Sequence, residues 1–266
     1  MKIIKSKDNP EYKDTLRLLR KKYRDQAGMF LIEGPRPVMD ALKAGNSIDT
    51  VFIRESAADS PHAVSIAEHA GNDAKSIKLA VLADGLFDRL SDTENSQGIL
   101  AKAHKAKPHM RSPVVILDRL QDPGNIGTII RTAEAAGFGT LIAIKGTGDI
   151  YSPKTSRAAA GSLLRVDVFE GMTTAEAVEL CRDSGIRIIA SDLEGAAEYT
   201  QADMTGDIAI VIGNEGSGIS DEIRAAADTL VRIPMEGEIE SLNAAAAAGI
   251  LMYEAVRQRR AAGKVK

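Results

Sequence analysis

Cysteine occurs once in these 266 residues, at Cys181, so the chain has neither an internal disulfide nor a cysteine metal cluster. Cys181 lies in the helix-like run AEAVELCRDSG, where a buried thiol is expected rather than a nucleophile. Aromatic residues make up 4% of the chain, which leaves few platforms for stacking nucleobases. No run of ~18 apolar residues is present, so no membrane span is expected. The opening MKIIKSKDNP has no apolar h-region and does not read as a secretory signal, and a cytoplasmic location is the expectation. The four histidines, His62, His69, His104 and His109, all precede the apolar run Val114–Asp118, so chemistry carried further along has no imidazole to use.

What is present is a globular composition, 44% hydrophobic, in a length that suits one large or two ordinary domains. A net charge of −3 conceals an asymmetry. Residues 1–111 hold 19 basic against 15 acidic side chains, and the remainder holds 15 against 22. The first 24 residues alone carry nine Lys and Arg against three acids. Such a basic end attracts nucleic acid by neutralising phosphates, and it is equally the composition of a solvated helix face.

The stretch AKPHMRSP, residues 106–113, places two prolines close together and suits neither helix nor strand, so the division falls here, at 1–107 and 108–266. Before it, a basic amphipathic helix near Pro10–Lys22 precedes strand MFLIE, a helix opened by Gly34-Pro35, and strand TVFIR. A helix near Pro61–Ala70, strand SIKLAV, a helix near Asp84–Leu90 and strand QGILAKA follow. This pattern is a small α/β/α sandwich. After the linker, apolar β-branched runs alternate with helical ones: VVILD, TLIAIK, RVDVF, IRIIASD, IAIVIG and LVRIP, then a long helix from about Leu242. That alternation predicts a parallel sheet covered on both faces.

In open parallel sheets ligands sit beyond the carboxyl ends of the strands, so the loops after VVILD, IAIVIG and LVRIP carry the candidates. In the first, Pro123-Gly124 makes a turn, Asn125 is a candidate N-cap, and Arg131 follows about 1.7 helical turns later. The second, Gly213-Asn-Glu-Gly-Ser-Gly218, is neither a dinucleotide fingerprint nor a P-loop. Glu215 inside it repels phosphate, so the loop suits a cationic or neutral ligand. In the third, Ser241 or Asn243 can cap the alanine-rich helix start, whose small side chains admit close approach of backbone or ligand.

Taken together, NIGTIIR, IGNEGSG and IPMEGEIESLNAAAAAGILMYE resemble, in order and spacing, the three motifs of the SpoU (TrmH-type) RNA 2′-O-ribose methyltransferases of the SPOUT class. The resemblance runs from about Ser112 to the C-terminus. The stretch YRDQAGMFLIEGPRPVMDALKAGNSIDTVFI resembles, more loosely, the small substrate-binding domain of many ribosomal-RNA members.

The resemblance implies S-adenosyl-L-methionine as methyl donor, an RNA ribose 2′-hydroxyl as acceptor, no metal, a homodimer, and a C-terminal trefoil knot in the catalytic domain. It assigns the activating role to Arg131. A guanidinium keeps its charge at ordinary pH, so two roles stay open: base, or stabiliser of the developing alkoxide or a neighbouring phosphate. Asn125 would position ribose or phosphate, Glu215 would hold Arg131 or Asn125, and Ser241 and Asn243 would complete the polar site. The donor would lie against Gly213, Ile233, Met235 and Leu242. Ribosomal RNA is the expected substrate, with transfer RNA as the alternative; a non-catalytic RNA-binding or ribosome-assembly factor on the same fold is the reading from a different class.

Overall fold

The computed structural model describes residues 2–45, 48–71, 77–193 and 197–264. In chain order the first elements are β1 (Lys2–Ile4), α1 (Pro10–Arg17), α2 (Lys21–Ala27), β2 (Met29–Glu33), α3 (Pro35–Lys43), β3 (Ile48–Arg54), α4 (Pro61–Gly71), β4 (Lys78–Leu82), α5 (Asp84–Phe87) and β5 (Ile99–His104). They are followed by β6 (Val114–Asp118), α6 (Pro123–Ala135), β7 (Thr140–Ile144), α7 (Pro153–Ala158), β8 (Asp167–Met172), α8 (Thr174–Asp183), β9 (Arg187–Ser191), β10 (Ala197–Glu198), β11 (Ile208–Gly213), α9 (Asp221–Ala226), β12 (Thr229–Arg232) and α10 (Ala244–Ala261).

These elements form two compact units, Met1–Ala106 with Tyr151–Leu164, and Lys107–Ile150 with Arg165–Lys266. The expected division at 107/108 makes each part continuous in sequence, whereas the segment around α7 belongs with the first unit. Side-chain chemistry explains the return. Ser156 donates from its hydroxyl to the Leu31 carbonyl at 3.0 Å, the Tyr151 ring lies 4.8 Å from Phe30, and Arg157 pairs with Asp92 at 2.7 Å.

The first unit holds a five-stranded sheet in the order β1-β4-β3-β5-β2, with β1, β4 and β3 parallel and β5 antiparallel to both β3 and β2. The basic helix expected over Pro10–Lys22 is broken at Leu18–Arg20 into α1 and α2. Arg24, 2% exposed, donates to the Leu18 carbonyl at 2.6 Å, so the break supplies the acceptor for a buried guanidinium. The expected strand SIKLAV starts at Ser76, outside the described residues; β4 is described from Lys78.

The second unit is the parallel α/β sheet that the alternation predicts. Its seven strands run in the order β10-β12-β9-β11-β6-β7-β8, every pairing parallel. Alternate residues of the strands, Val114 and Ile116, Ile142 and Ile144, Ile188 and Ala190, pack with Ala177, Val178 and Cys181 of α8 and Ile223 of α9. The intervening Val115, Leu117, Leu141, Ile189 and Ile210 are equally buried, and α6 and α10 pack on each other with α10 against β11. Two covered faces are why these strands read as unbroken apolar runs.

Candidate functional site

Strand order decides which loops meet. Because β11 lies between β6 and β9, and β12 beyond β9, the loops that leave β6, β9, β11 and β12 share one end of the sheet. Between the last three of these and the start of α10 is a cleft of about 770 Å³.

The loop after β11 closes on itself. Asn214 and Gly218 exchange both backbone hydrogen bonds at 2.9 Å, and Asn214 Oδ1 accepts from the Gly216 and Ser217 amides at 3.0 and 3.1 Å. Gly213 is obligatory here: a Cβ on it would lie 2.3 Å from the Gly218 carbonyl carbon. The same loop is tied to the one after β6. Asn214 Nδ2 donates to the Arg119 carbonyl at 2.9 Å, and buried Asp118 accepts from the Ser220 amide at 2.5 Å.

The polar centre is a chain of three side chains. Glu215 accepts from the Gln121 and Asp122 amides, each at 3.2 Å, and from Asn125 Nδ2 at 3.3 Å. Asn125 Oδ1 in turn accepts from Asn243 Nδ2 at 2.9 Å. Desolvation pushes the Glu215 carboxyl up, but the amides of its own residue, Asp122 and Gln121, together with Asn125, outweigh that and hold it below the usual glutamate value.

Helix capping differs from expectation in an informative way. Asn125 is not the cap of α6. Pro123 takes the first helical position and Asp122 caps, accepting from the Asn125 amide at 2.8 Å. The Asn125 side chain is thereby free to join Glu215 and Asn243. At α10 the cap is Asn243 rather than Ser241, accepting from the Ala245 and Ala246 amides at 2.9 and 3.3 Å. Its Oδ1 caps while its Nδ2 reaches Asn125, so one side chain joins two helix starts.

Gly213, Ile233, Met235 and Leu242 all line the cleft, as do Glu215, Ser241 and Asn243. Asn125 is reached through Asn243 and Glu215. Arg131 is not brought to that network: it sits on the exposed side of α6 and makes no hydrogen bond or ion pair with a described residue. Among the lining residues that escape the sequence reading are Asn214, Asp192 and Arg224. Asn214 stands inside the quoted glycine loop but was hidden among the glycines. Asp192, 8% exposed, follows β9 and pairs with Arg224 of α9. Only the strand order, which places β9 between β11 and β12, makes its end part of the cleft.

This parallel α/β sheet with its converging loops is shared with solved SpoU methyltransferases, and that likeness makes the fold one of the SPOUT class. The chain belongs to the SpoU rRNA methylase family, whose model matches residues 112–253. Residues 9–101 match the MRM3-like substrate binding domain. Among similar proteins, the 23S rRNA (guanosine(2553)-2′-O)-methyltransferase of Bacillus subtilis is 32% identical over 95% of this chain and 98% of its own length. Two solved structures superpose with a TM-score of 0.83 each. One is the SpoU methyltransferase AviRb from Streptomyces viridochromogenes in complex with the cofactor AdoMet, at 30% identity over 95% of this chain and 98% of that one. The other is an AdoMet-bound rRNA methyltransferase from Sinorhizobium meliloti, at 31% identity over 96% and 97%.

Proposed function

We propose that this protein transfers a methyl group from S-adenosylmethionine to a ribose 2′-hydroxyl of ribosomal RNA. The observation that carries the reading is the Glu215–Asn125–Asn243 chain of hydrogen bonds at the mouth of the cleft. The cleft fits the donor: its volume lies within the ~300–1,000 Å³ of ligand pockets, and it combines apolar Ile233, Met235 and Leu242 with loop backbone. Gly213, Ile233, Met235 and Leu242 would hold the donor, which supplies a methyl already activated on sulfur. The paired Asp192 and Arg224 add a charged wall.

The chain's own residues do the rest. Asn125, fixed from two sides, positions the ribose or its phosphate. Glu215 stays ionised and orients Asn125. Ser241, exposed at the cleft rim, offers a hydroxyl to the acceptor. Arg131 supplies positive charge to the ribose oxygen or the adjacent phosphate as the proton leaves. An acceptor that approaches along α6 meets that free guanidinium. A homodimer through the second unit and a trefoil knot at its C-terminal end belong to the same reading. In support of the knot, Gly213 passes against the Gly218–Ile219 backbone, and the small residues Ala244 and Ala248 are buried at the start of α10.

Residues 1–107, with the returning segment 151–164, act as the RNA-binding part and the rest of 108–266 as the methyltransferase, in the cytoplasm. No helix of the described residues is long and apolar enough to cross a membrane. The test is the Arg131→Ala protein, which is expected to bind RNA and S-adenosylhomocysteine as the wild type does yet transfer no methyl. Equal transfer by the two proteins sinks the assignment of Arg131. Mapping of 2′-O-methyl positions in ribosomal and transfer RNA, with and without the gene, separates the two substrates. Loss of no position supports the assembly-factor reading instead.

A further inference from the structure

The first unit contains a second cleft, of about 470 Å³, between α3 and α4. Its walls are built by one spacing used twice. Along α3 it is lined by Arg36, Met39, Asp40 and Lys43, and along α4 by His62, Ser65, Ile66 and His69. Both sets are i, i+3, i+4, i+7, which places each on a single helix face. On each helix the end positions are nitrogenous and the middle is an apolar side chain beside a small polar one. The result is a trough about 10 Å long, with a greasy floor at Met39 and Ile66 and nitrogen donors at its ends.

Many other cations of the unit are tied up in ion pairs, although Lys7, Arg20, Lys21, Lys22, Arg89 and Lys154, like the trough donors, have no such partner among the described residues. Lys5, Arg54, Lys78, Lys102 and Arg157 each have a carboxylate partner. Arg36, Lys43, His62 and His69 are all exposed, and none makes a hydrogen bond or ion pair with a described residue. Asp40 is the one acid in the lining. The trough mouth is also built: Glu33 accepts from the hydroxyls of Ser91, Thr93 and Ser96 at 2.5, 2.8 and 2.8 Å, which fixes the loop that delivers Gln97 to the lining.

Resting on the reading that the substrate is RNA, we propose that this trough takes a single-stranded segment of that RNA. Arg36 and Lys43 neutralise backbone phosphates, an unstacked base lies over Met39 and Ile66, and Gln97, Ser65 and the histidines bond its edge. Single-stranded RNA is the form whose bases can be turned out into such a site. Cations that make no ion pair, set around an apolar floor, match that ligand, with affinity from phosphate and selection from the base edge.

The experiment compares three full-length proteins for binding of in-vitro-transcribed ribosomal RNA fragments over a salt series, and for methyl transfer to them. Arg36→Gln/Lys43→Gln removes the two trough cations, while Lys5→Gln/Lys78→Gln removes two paired surface cations from the same unit. The trough variant is expected to bind about tenfold more weakly, with a salt slope lowered by about 1.4, the value for two single-strand phosphate contacts. Its KM for RNA rises with kcat and S-adenosylhomocysteine affinity unchanged, and the control stays within about twofold of wild type. Equal weakening by both variants, or none by the trough variant, overturns the trough while leaving the methylation reading intact. A wild-type protein that binds no RNA overturns both.

Discussion

Glu215 carries a charge among glycines, and four groups, the amides of its own residue, Asp122 and Gln121 and the Asn125 side chain, hold that charge in place. Its folded pKa is depressed below the ordinary 4.5, so its stabilising effect is present in full above that value. That effect is lost as pH falls through the folded value. The difference in thermal midpoint between wild type and Glu215→Gln is therefore expected to be constant from about pH 7 to about pH 5 and to shrink as pH falls below the ordinary glutamate value. A difference that widens on acidification contradicts the assignment. Asn243 allows a finer cut. Asn243→Asp keeps the cap but loses the Nδ2 donor to Asn125, so methyl transfer falls with little loss of stability. Asn243→Ala loses both and unfolds more easily by about 1 kcal/mol, read by urea denaturation. At Cys181, burial pushes the thiol up to about 11. Thiol reagents are expected to leave the folded protein unlabelled and to modify one group on unfolding.

At the scale of elements, the chain states its strands more openly than its caps. Strands β2, β6 and β11 match MFLIE, VVILD and IAIVIG residue for residue, because each is a short, mostly buried apolar run bounded by a polar residue or glycine. The short edge strands β1 and β10, three and two residues long, carry too little pattern to be read. The α1–α2 break depends on where the Arg24 guanidinium ends up, which lies six residues from its acceptor and leaves no local signal. Likewise Asp122 and Asn125 are both sound caps by type, and only Pro123 at the first helical position decides between them. The loop after β11 is a tightly fitted element. Gly213→Ala forces a methyl into the Gly218–Ile219 backbone and is expected to cost about 2–3 kcal/mol. A neutral result in urea denaturation contradicts the fit of that loop.

For the whole molecule, the proposed function gives the charge asymmetry a physical use: the basic first 111 residues would attract the RNA phosphates, and the acidic remainder would need contact at one nucleotide only. Much of the cleft was legible as three odd loops, but their convergence was not, since it depends on the order β12-β9-β11-β6, which no local pattern encodes. Arg131 belongs to this scale too. It sits outside the network its sequence neighbours form, so the role proposed for it needs a second body, RNA or another protomer. The homodimer reading predicts a light-scattering mass twice the 28.3 kDa of the chain. The most direct test of the account is nucleoside mass spectrometry of ribosomal RNA incubated with the purified protein and methyl-labelled S-adenosylmethionine. The account predicts label in a 2′-O-methylated nucleoside, absent with Arg131→Ala. Label on a base, or none in the presence of the wild-type protein, would contradict it.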